Sequence, residues 1–202
     1  ELSLKCDGNG IVLSVDNYAS SEYTKFYDRE EQAVFADYLI VMAYDEHYAG
    51  SKESGSVASI GFVTKGADDI LAENVPSEQV ILGMPFYTRV WAEKPKESDG
   101  DDAESASDDY VPYELSSEAC GMLSAQRLME VNGAEKTWLE DMGQYYTEYV
   151  NNNITYKIWF EDVRSIEEKL KVMDSHEFAG AAFWKLGLED STVWDTVIKY
   201  IN

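Results

Sequence analysis

Cations are scarce in this sequence. Of 202 residues only 16 are Lys or Arg, against 39 Asp or Glu, which leaves a formal charge of −23. Nucleic-acid binding needs clustered cations to displace counterions from phosphates, so no nucleic-acid partner is expected. Anionic membrane surfaces are disfavoured for the same reason, and no apolar run reaches the ~20 residues of a membrane-spanning helix. Cysteine is nearly absent: Cys6 and Cys120 lie far apart and build neither a disulfide framework nor a four-thiolate metal site. They read as free thiols, with one long-range disulfide as the alternative. There is no H-E-x-x-H, no G-x-S-x-G elbow and no phosphate-cradling glycine loop, so metal, serine and nucleotide chemistry find no support and no cofactor is expected. Asp7-Gly8-Asn9-Gly10 lacks the later carboxylates of a calcium loop and serves as a turn. Asp99-Gly100-Asp101-Asp102 reads as solvated acidic loop rather than a weak calcium site. The opening Glu1-Leu2-Ser3-Leu4-Lys5 resembles neither a signal peptide nor an initiator start, as if the chain were cut from something longer.

What is present is core-forming material. With 45% hydrophobic and 13% aromatic residues the chain is globular, with one or two domains. Four apolar runs read as buried strands: Gly10 to Val15, Tyr38 to Tyr44, Val80 to Tyr87 and Phe178 to Trp184. They are continuous rather than alternating, as strands covered on both faces require, which implies parallel pairing. Helical patterns lie between them, over Lys25 to Phe35, Ile60 to Glu73, Val163 to Met173 and Thr192 to Ile201. Strands alternating with helices make an α/β fold.

About 90 residues separate the third and fourth strands, too many for one crossover, so residues 91–160 are expected to form an α+β insertion. An acidic loop from Glu93 to Asp109 leads to a helix from Ser117 to Val131. Strands follow over Lys136 to Leu139, Gln144 to Val150 and Thr155 to Phe160, the last two joined by a hairpin turn at Asn151-Asn152-Asn153. Removing the insertion leaves ~130 residues in four βα units, against ~250 for an eight-stranded barrel. Half a barrel over residues 1–90 and 161–202 fits; a complete open sheet of four or five strands fits equally.

Chemistry gathers at strand ends. The second strand runs into Met42-Ala43-Tyr44-Asp45-Glu46-His47-Tyr48, the third into Tyr87-Thr88-Arg89-Val90-Trp91, and the fourth into Phe183-Trp184-Lys185. In α/β folds ligands bind at that carboxyl edge, although acidic residues there also cap the following helix. Aromatic faces beside carboxylates and a guanidinium suit sugar rings, which stack on aromatics while their hydroxyls take polar partners. His47 reads as a hydrogen-bonded rim residue, since His176 lies far along the chain.

Met42-Ala43-Tyr44-Asp45 resembles the M-x-Y-D signature on the sixth strand of family 18 glycoside hydrolases, the chitinase-like enzymes. Gly83-Met84-Pro85-Phe86-Tyr87-Thr88-Arg89 and Ile158-Trp159-Phe160-Glu161-Asp162 with Ser165 resemble the branch that includes bacterial spore-cortex glucosaminidases, and Trp184 sits where the family keeps its eighth-strand tryptophan. The resemblance implies the second half, strands five to eight, of a (β/α)8 TIM barrel, with the α+β insertion between strand seven and helix seven. It implies a glycan containing β-1,4-linked N-acetylglucosamine, chitin or peptidoglycan, cleaved with assistance from the substrate's own acetamide. Tyr44 would hydrogen-bond the acetamide oxygen, Asp45 would orient the reacting sugar, and Trp184 would form the floor beneath it, a core tryptophan being the alternative. Met42, Glu46, Tyr87, Arg89 and Trp91 would line the substrate; for Arg89 a salt bridge to Glu161 or Asp162 is the alternative.

The family's fourth-strand D-x-x-D-x-D-x-E, whose final Glu is the general acid, has no counterpart here. The isolated chain is therefore expected to be inactive and to pair with the N-terminal half barrel of its parent or with a second copy. A non-catalytic glycan-binding module of the chitinase-like kind is the second reading. The acidity and the glycan point to an extracellular or cell-wall location.

Overall fold

The computed structural model describes residues 1–96 and 112–201. Its elements, in order, are α1 (Leu2–Asp7), β1 (Ser14–Tyr18), α2 (Arg29–Phe35), β2 (Tyr38–Met42), α3 (Ile60–Ala72), β3 (Val80–Pro85), β4 (Tyr87–Pro95) and β5 (Tyr113–Gly121). Then come α4 (Met122–Val131), β6 (Thr137–Leu139), β7 (Gln144–Asn151), β8 (Ile154–Phe160), α5 (Val163–Ser175), β9 (Gly180–Trp184) and α6 (Trp194–Val197). They form two sheets. One is wholly parallel, in the order β1-β2-β3-β9; the other is wholly antiparallel, in the order β5-β4-β8-β7-β6.

Alternation along a strand sends neighbouring side chains to opposite faces, and the parallel register aligns those faces across strands. Leu39 and Val41 of β2 with Val80, Leu82 and Met84 of β3 are all buried on one face. There α3 and α5 pack on each other and against β2 and β3, adding Val63, Ala67, Ile70, Ile166 and Leu170 to one core. The other face carries Asp16 and Tyr18 of β1, Ile40 and Met42 of β2, Gly83 of β3 and Trp184 of β9, none of them covered by these helices.

Helix starts follow local chemistry. Asp28 caps α2 through the Glu31 amide at 3.0 Å, and Ser59 caps α3 through the Phe62 amide at 3.2 Å. At α5, Asp162 accepts from the Ser165 amide while the Ser165 hydroxyl accepts from the Asp162 amide, a reciprocal capping box.

Several expectations need correction. The first strand is Ser14–Tyr18, not Gly10 to Val15: Ile11 and Val12 are exposed, and the strand carries polar residues on its uncovered face. The Val80-to-Tyr87 run divides at Phe86, where the chain leaves the parallel sheet and joins the antiparallel one. The Phe86 amide donates to the Trp184 carbonyl (2.8 Å), whereas Tyr87 already pairs with Gly121. The expected boundary at Trp91 thus falls inside β4. Residues 117–121, expected as helix, extend β5, and α4 starts at Met122. Glu93 to Pro95 belong to β4; most of the expected acidic loop, with Asp99 to Asp102, lies outside the described residues. The last helix is a short α6 flanked by 3-10 turns. The Asn turn agrees with expectation: Asn152 and Asn153 both have positive φ, as a two-residue hairpin turn needs.

Candidate functional site

The site is built where β2, β3 and β9 end together. Past Met42 the Ala43 amide still donates to the Gly83 carbonyl (3.1 Å), so Tyr44 continues along the uncovered face. A side chain at Gly83 would sit 2.9 Å from the Val41 carbonyl oxygen, too close to be accommodated without a shift, and would reach ordinary contact with the Tyr44 ring at 3.5 Å. Asp45 then turns into the left-handed region, φ 60°, an uncommon conformation that Asp tolerates better than most residues and that its surroundings support.

Those surroundings are identifiable. The Tyr87 hydroxyl donates to Asp45 Oδ1, and the Tyr44 and Tyr87 rings meet edge to face, with centroids 6.2 Å apart. On β9, Trp184 is paired with Pro85, exposes 56% of its surface and is joined to Lys185 by a cis peptide bond. Phe86 ties the two together: its amide holds Trp184, and its ring stacks on Phe183 at 4.5 Å beneath the rim.

Arg89 follows two residues after Tyr87 on the same face of β4. Its Nη1 donates to Ser117 Oγ (2.9 Å), while its Nε is buried without a hydrogen-bond partner. The alternative salt bridge is not formed, because Glu161 pairs with Lys169 (3.0 Å) and Asp162 with Lys136 (3.2 Å). Burial pushes the Tyr44 phenol up to about 12, helped by the charges of Asp45, Asp16 and Tyr18. Burial also raises the Tyr87 phenol, together with its hydrogen bond to Asp45, and Arg89 opposes this. At neutral pH both are therefore neutral hydrogen-bond donors facing a carboxylate.

The structure thus brings together Met42, Tyr44, Asp45, Tyr87 and Trp184, with Arg89 alongside. Two candidates stand elsewhere. Trp91 is 1% exposed and donates its indole N–H to the Gly55 carbonyl (2.8 Å), so it offers no face to a ligand; it pins the β2–α3 loop. Glu46 takes the Ser59 amide (2.7 Å) and hydroxyl (3.0 Å), the helix-capping alternative for this acidic stretch. His47 Nδ1 contacts the Ser56 carbonyl (2.9 Å). Asp16 and Tyr18 were missed, although they share the uncovered face with Tyr44 and influence its ionisation. The signal was their period of two within Ser14-Val15-Asp16-Asn17-Tyr18, hidden by the apolar run before it. Among the described residues no cluster of three His, Cys, Asp or Glu side chains is placed to hold a metal ion. Neutral phenols, an oriented carboxylate and an exposed indole can grip an uncharged polyhydroxylated ring from edge and face.

Comparison with known proteins concerns the chain as a whole. The cortical fragment-lytic enzyme of Bacillus anthracis is 22% identical over 197 residues, covering 95% of this chain and 42% of that protein. The chain thus spans less than half the length of that relative. The crystal structure of the Bacillus megaterium QM B1551 spore cortex-lytic enzyme SleL superposes with a TM-score of 0.79 at 19% identity, over 99% of this chain and 43% of that one. A plant class V chitinase mutant from Cycas revoluta, solved in complex with (GlcNAc)3, gives a TM-score of 0.76 at 19% identity, over 98% and 58% of the two chains. The profile of glycosyl hydrolases family 18 matches residues 3–189, and the chain belongs to that family.

Proposed function

We propose that this chain is the sugar-holding part of a family 18 glycosidase acting on a glycan with β-1,4-linked N-acetylglucosamine, chitin or peptidoglycan, outside the cytoplasm. The observation that carries the reading is the Tyr87–Asp45 hydrogen bond beside the Tyr44 ring, at the strand edge that also bears Trp184. In a substrate-assisted reaction the acetamide oxygen attacks the anomeric carbon, so the protein's work is to hold that amide still and to stabilise developing charge. The neutral Tyr44 hydroxyl donates to the acetamide oxygen. Asp45, oriented by Tyr87, aligns the amide as positive charge builds on it. Trp184 gives the sugar's C–H face a floor, with Met42 and Arg89 beside it.

The leaving oxygen needs a proton, and no residue gathered here is placed as its donor. That donor comes from a glutamate outside these 202 residues, on the other half of a (β/α)8 barrel. The outer strands β1 and β9 each have one neighbour in the sheet, and the missing half, or a second copy, would pair with them. The experiment is a titration of tryptophan fluorescence with chitotriose, paired with a chromogenic N-acetylglucosaminide assay. Saturable quenching that Trp184→Phe abolishes, without turnover, is the expected result. Robust turnover by the chain alone, or quenching untouched by Trp184→Phe, overturns the reading.

A further inference from the structure

Asp45 is exposed and sits in the left-handed region, yet the backbone amides of the two residues after it are both held. The Glu46 amide donates to the Val57 carbonyl (2.8 Å), and the His47 amide donates to the Ser56 carbonyl (3.1 Å). The loop from Asp45 therefore folds back on Ser56 and Val57. Gly55 lies so close under the His47 ring that a side chain there would meet it at 2.5 Å.

Behind Ser56 runs a chain of buried polar groups. The Ser56 hydroxyl accepts from the Ala58 amide (3.0 Å) and donates to Gln144 Oε1 (2.5 Å). Gln144, at the start of β7, donates from Nε2 to Glu161 Oε1 (2.7 Å). Glu161 Oε2 accepts from Ser165 Oγ (2.7 Å) and Lys169 Nζ (3.0 Å). Ser56, Gln144, Glu161, Ser165 and Lys169 are all at most 1% exposed. A buried ion pair is a costly way to gain stability, because both charges lose water. Lys169 and Ser165 already satisfy one oxygen of Glu161; the other is directed, through a single amide, at the loop that carries Asp45. The oxygen and the nitrogen of that amide are each engaged, one on each side, so the connection has a defined length and direction.

We propose that Ser56, Gln144 and Glu161 form a buried positioning latch that sets the β2–α3 loop and thereby holds the Asp45 carboxylate against Tyr87. None of the three touches the open face; they are positioning residues. The consequence for catalysis rests on the glycosidase reading, but the latch itself does not.

The test reads the Asp45–Tyr87 contact directly in this chain. With tyrosine labelled at 13Cζ, the Tyr87 resonance is identified by its loss in Tyr87→Phe, and Asp45→Asn marks where it moves once the carboxylate is gone. Ser56→Ala removes one hydroxyl and leaves Glu161 its three donors. The expected result is a Tyr87 shift at least half as large as that of Asp45→Asn, with amide exchange at Glu46 and His47 accelerated tenfold or more. Ser56→Thr, which keeps the hydroxyl, restores both. If Ser56→Ala does not fold, Ser56→Cys keeps the volume, weakens the bond and is read in the same two ways. A folded variant with Tyr87 at its wild-type position and unchanged exchange overturns the latch.

Chitotriose titration separates the two readings. A moved Tyr87 with no trimer binding by the wild type leaves the latch standing and removes the glycosidase reading. Wild-type trimer binding with Tyr87 unmoved in the variant does the reverse.

Discussion

In the parallel sheet the helix-facing positions of β2 and β3, Leu39, Val41, Val80, Leu82 and Met84, are all apolar, and the buried Asn17 of β1 beside them is held by Gln32 (2.8 Å), whereas the antiparallel sheet buries Thr88, Glu93, Gln144 and Thr147. Each of those four has a specific partner. The Thr88 hydroxyl donates to the Trp159 carbonyl, Glu93 pairs with Lys157 (2.8 Å), Thr147 donates to the Glu135 carbonyl (2.8 Å), and Gln144 joins Glu161. Apolar burial is non-directional. Hydrogen bonds fix distance and angle. The loop bearing Asp45 lies between the sheets and is positioned by the directional one, through Trp91, Ser54–Glu93 (2.6 Å) and Ser56–Gln144.

The contrast is broken most severely at Glu161. Glu161→Ala strands Lys169, fully buried, without its counter-charge, and should cost about 3–5 kcal/mol in urea unfolding. Next comes the apolar side. Leu39→Ala, on the covered face, should cost about 2–5 kcal/mol, the usual range for a filled core position, while Ile40→Ala, one residue along on the open face, should cost far less. Equal losses at the two positions would mean that the sheet's faces are not as different as their burial indicates. A smaller effect is expected at Gly83→Ala, about 1–3 kcal/mol from forcing a methyl against the Val41 carbonyl. There the strain falls on the β2–β3 backbone pairing, so amide exchange along Val41 and Met42 should quicken in the same variant.

The same contrast explains which parts of the molecule could be read from its sequence. β2, β3 and β9 were legible because their apolar runs are continuous, although the cover on both faces that this continuity implied is found on one face only: Ile40 and Met42 of β2 lie on the face that α3 and α5 leave open. Tyr44, Asp45 and Tyr87 were legible because their residue types stand in a recognisable pattern at strand ends. β1 was misplaced because Ile11-Val12-Leu13 is the more apolar run, although it lies outside the sheet. There the Leu13 amide and carbonyl engage Asp37 at 2.7 and 2.8 Å. The extension of β5 was misread because Ser116 to Cys120 carries no strong preference, and pairing with β4 decides its conformation. Trp91 was assigned to the site because sequence shows that a residue follows Tyr87 and Arg89 at a period of two, not that a loop will close over it. The Ser56–Gln144–Glu161 connection joins residues far apart in the chain through ordinary polar side chains, so no local pattern announces it.

The least of the expected effects sharpens the comparison at high pH. The Tyr44 phenol, raised to about 12 in the folded chain, keeps a proton that the unfolded chain releases above its ordinary value of 10. Tyr87, and Tyr146 beside Glu148 on the antiparallel sheet, are raised as well. Where the native state binds more protons than the unfolded state, stability falls as pH rises. The stabilisation from these phenols is therefore complete below pH 10 and declines as the pH climbs towards 12, which a series of urea midpoints from pH 8 to 11 measures. Asp45→Asn removes the carboxylate that raises both Tyr44 and Tyr87 and should flatten part of the decline, while the part due to burial persists. Tyr146→Phe should flatten a further part independently, because its carboxylate neighbours, Glu148 and Glu93, are not shared with the site. If the two substitutions failed to add, Tyr146 would be coupled to the Tyr44–Asp45–Tyr87 group, and the phenol on β7 would not be independent of the site.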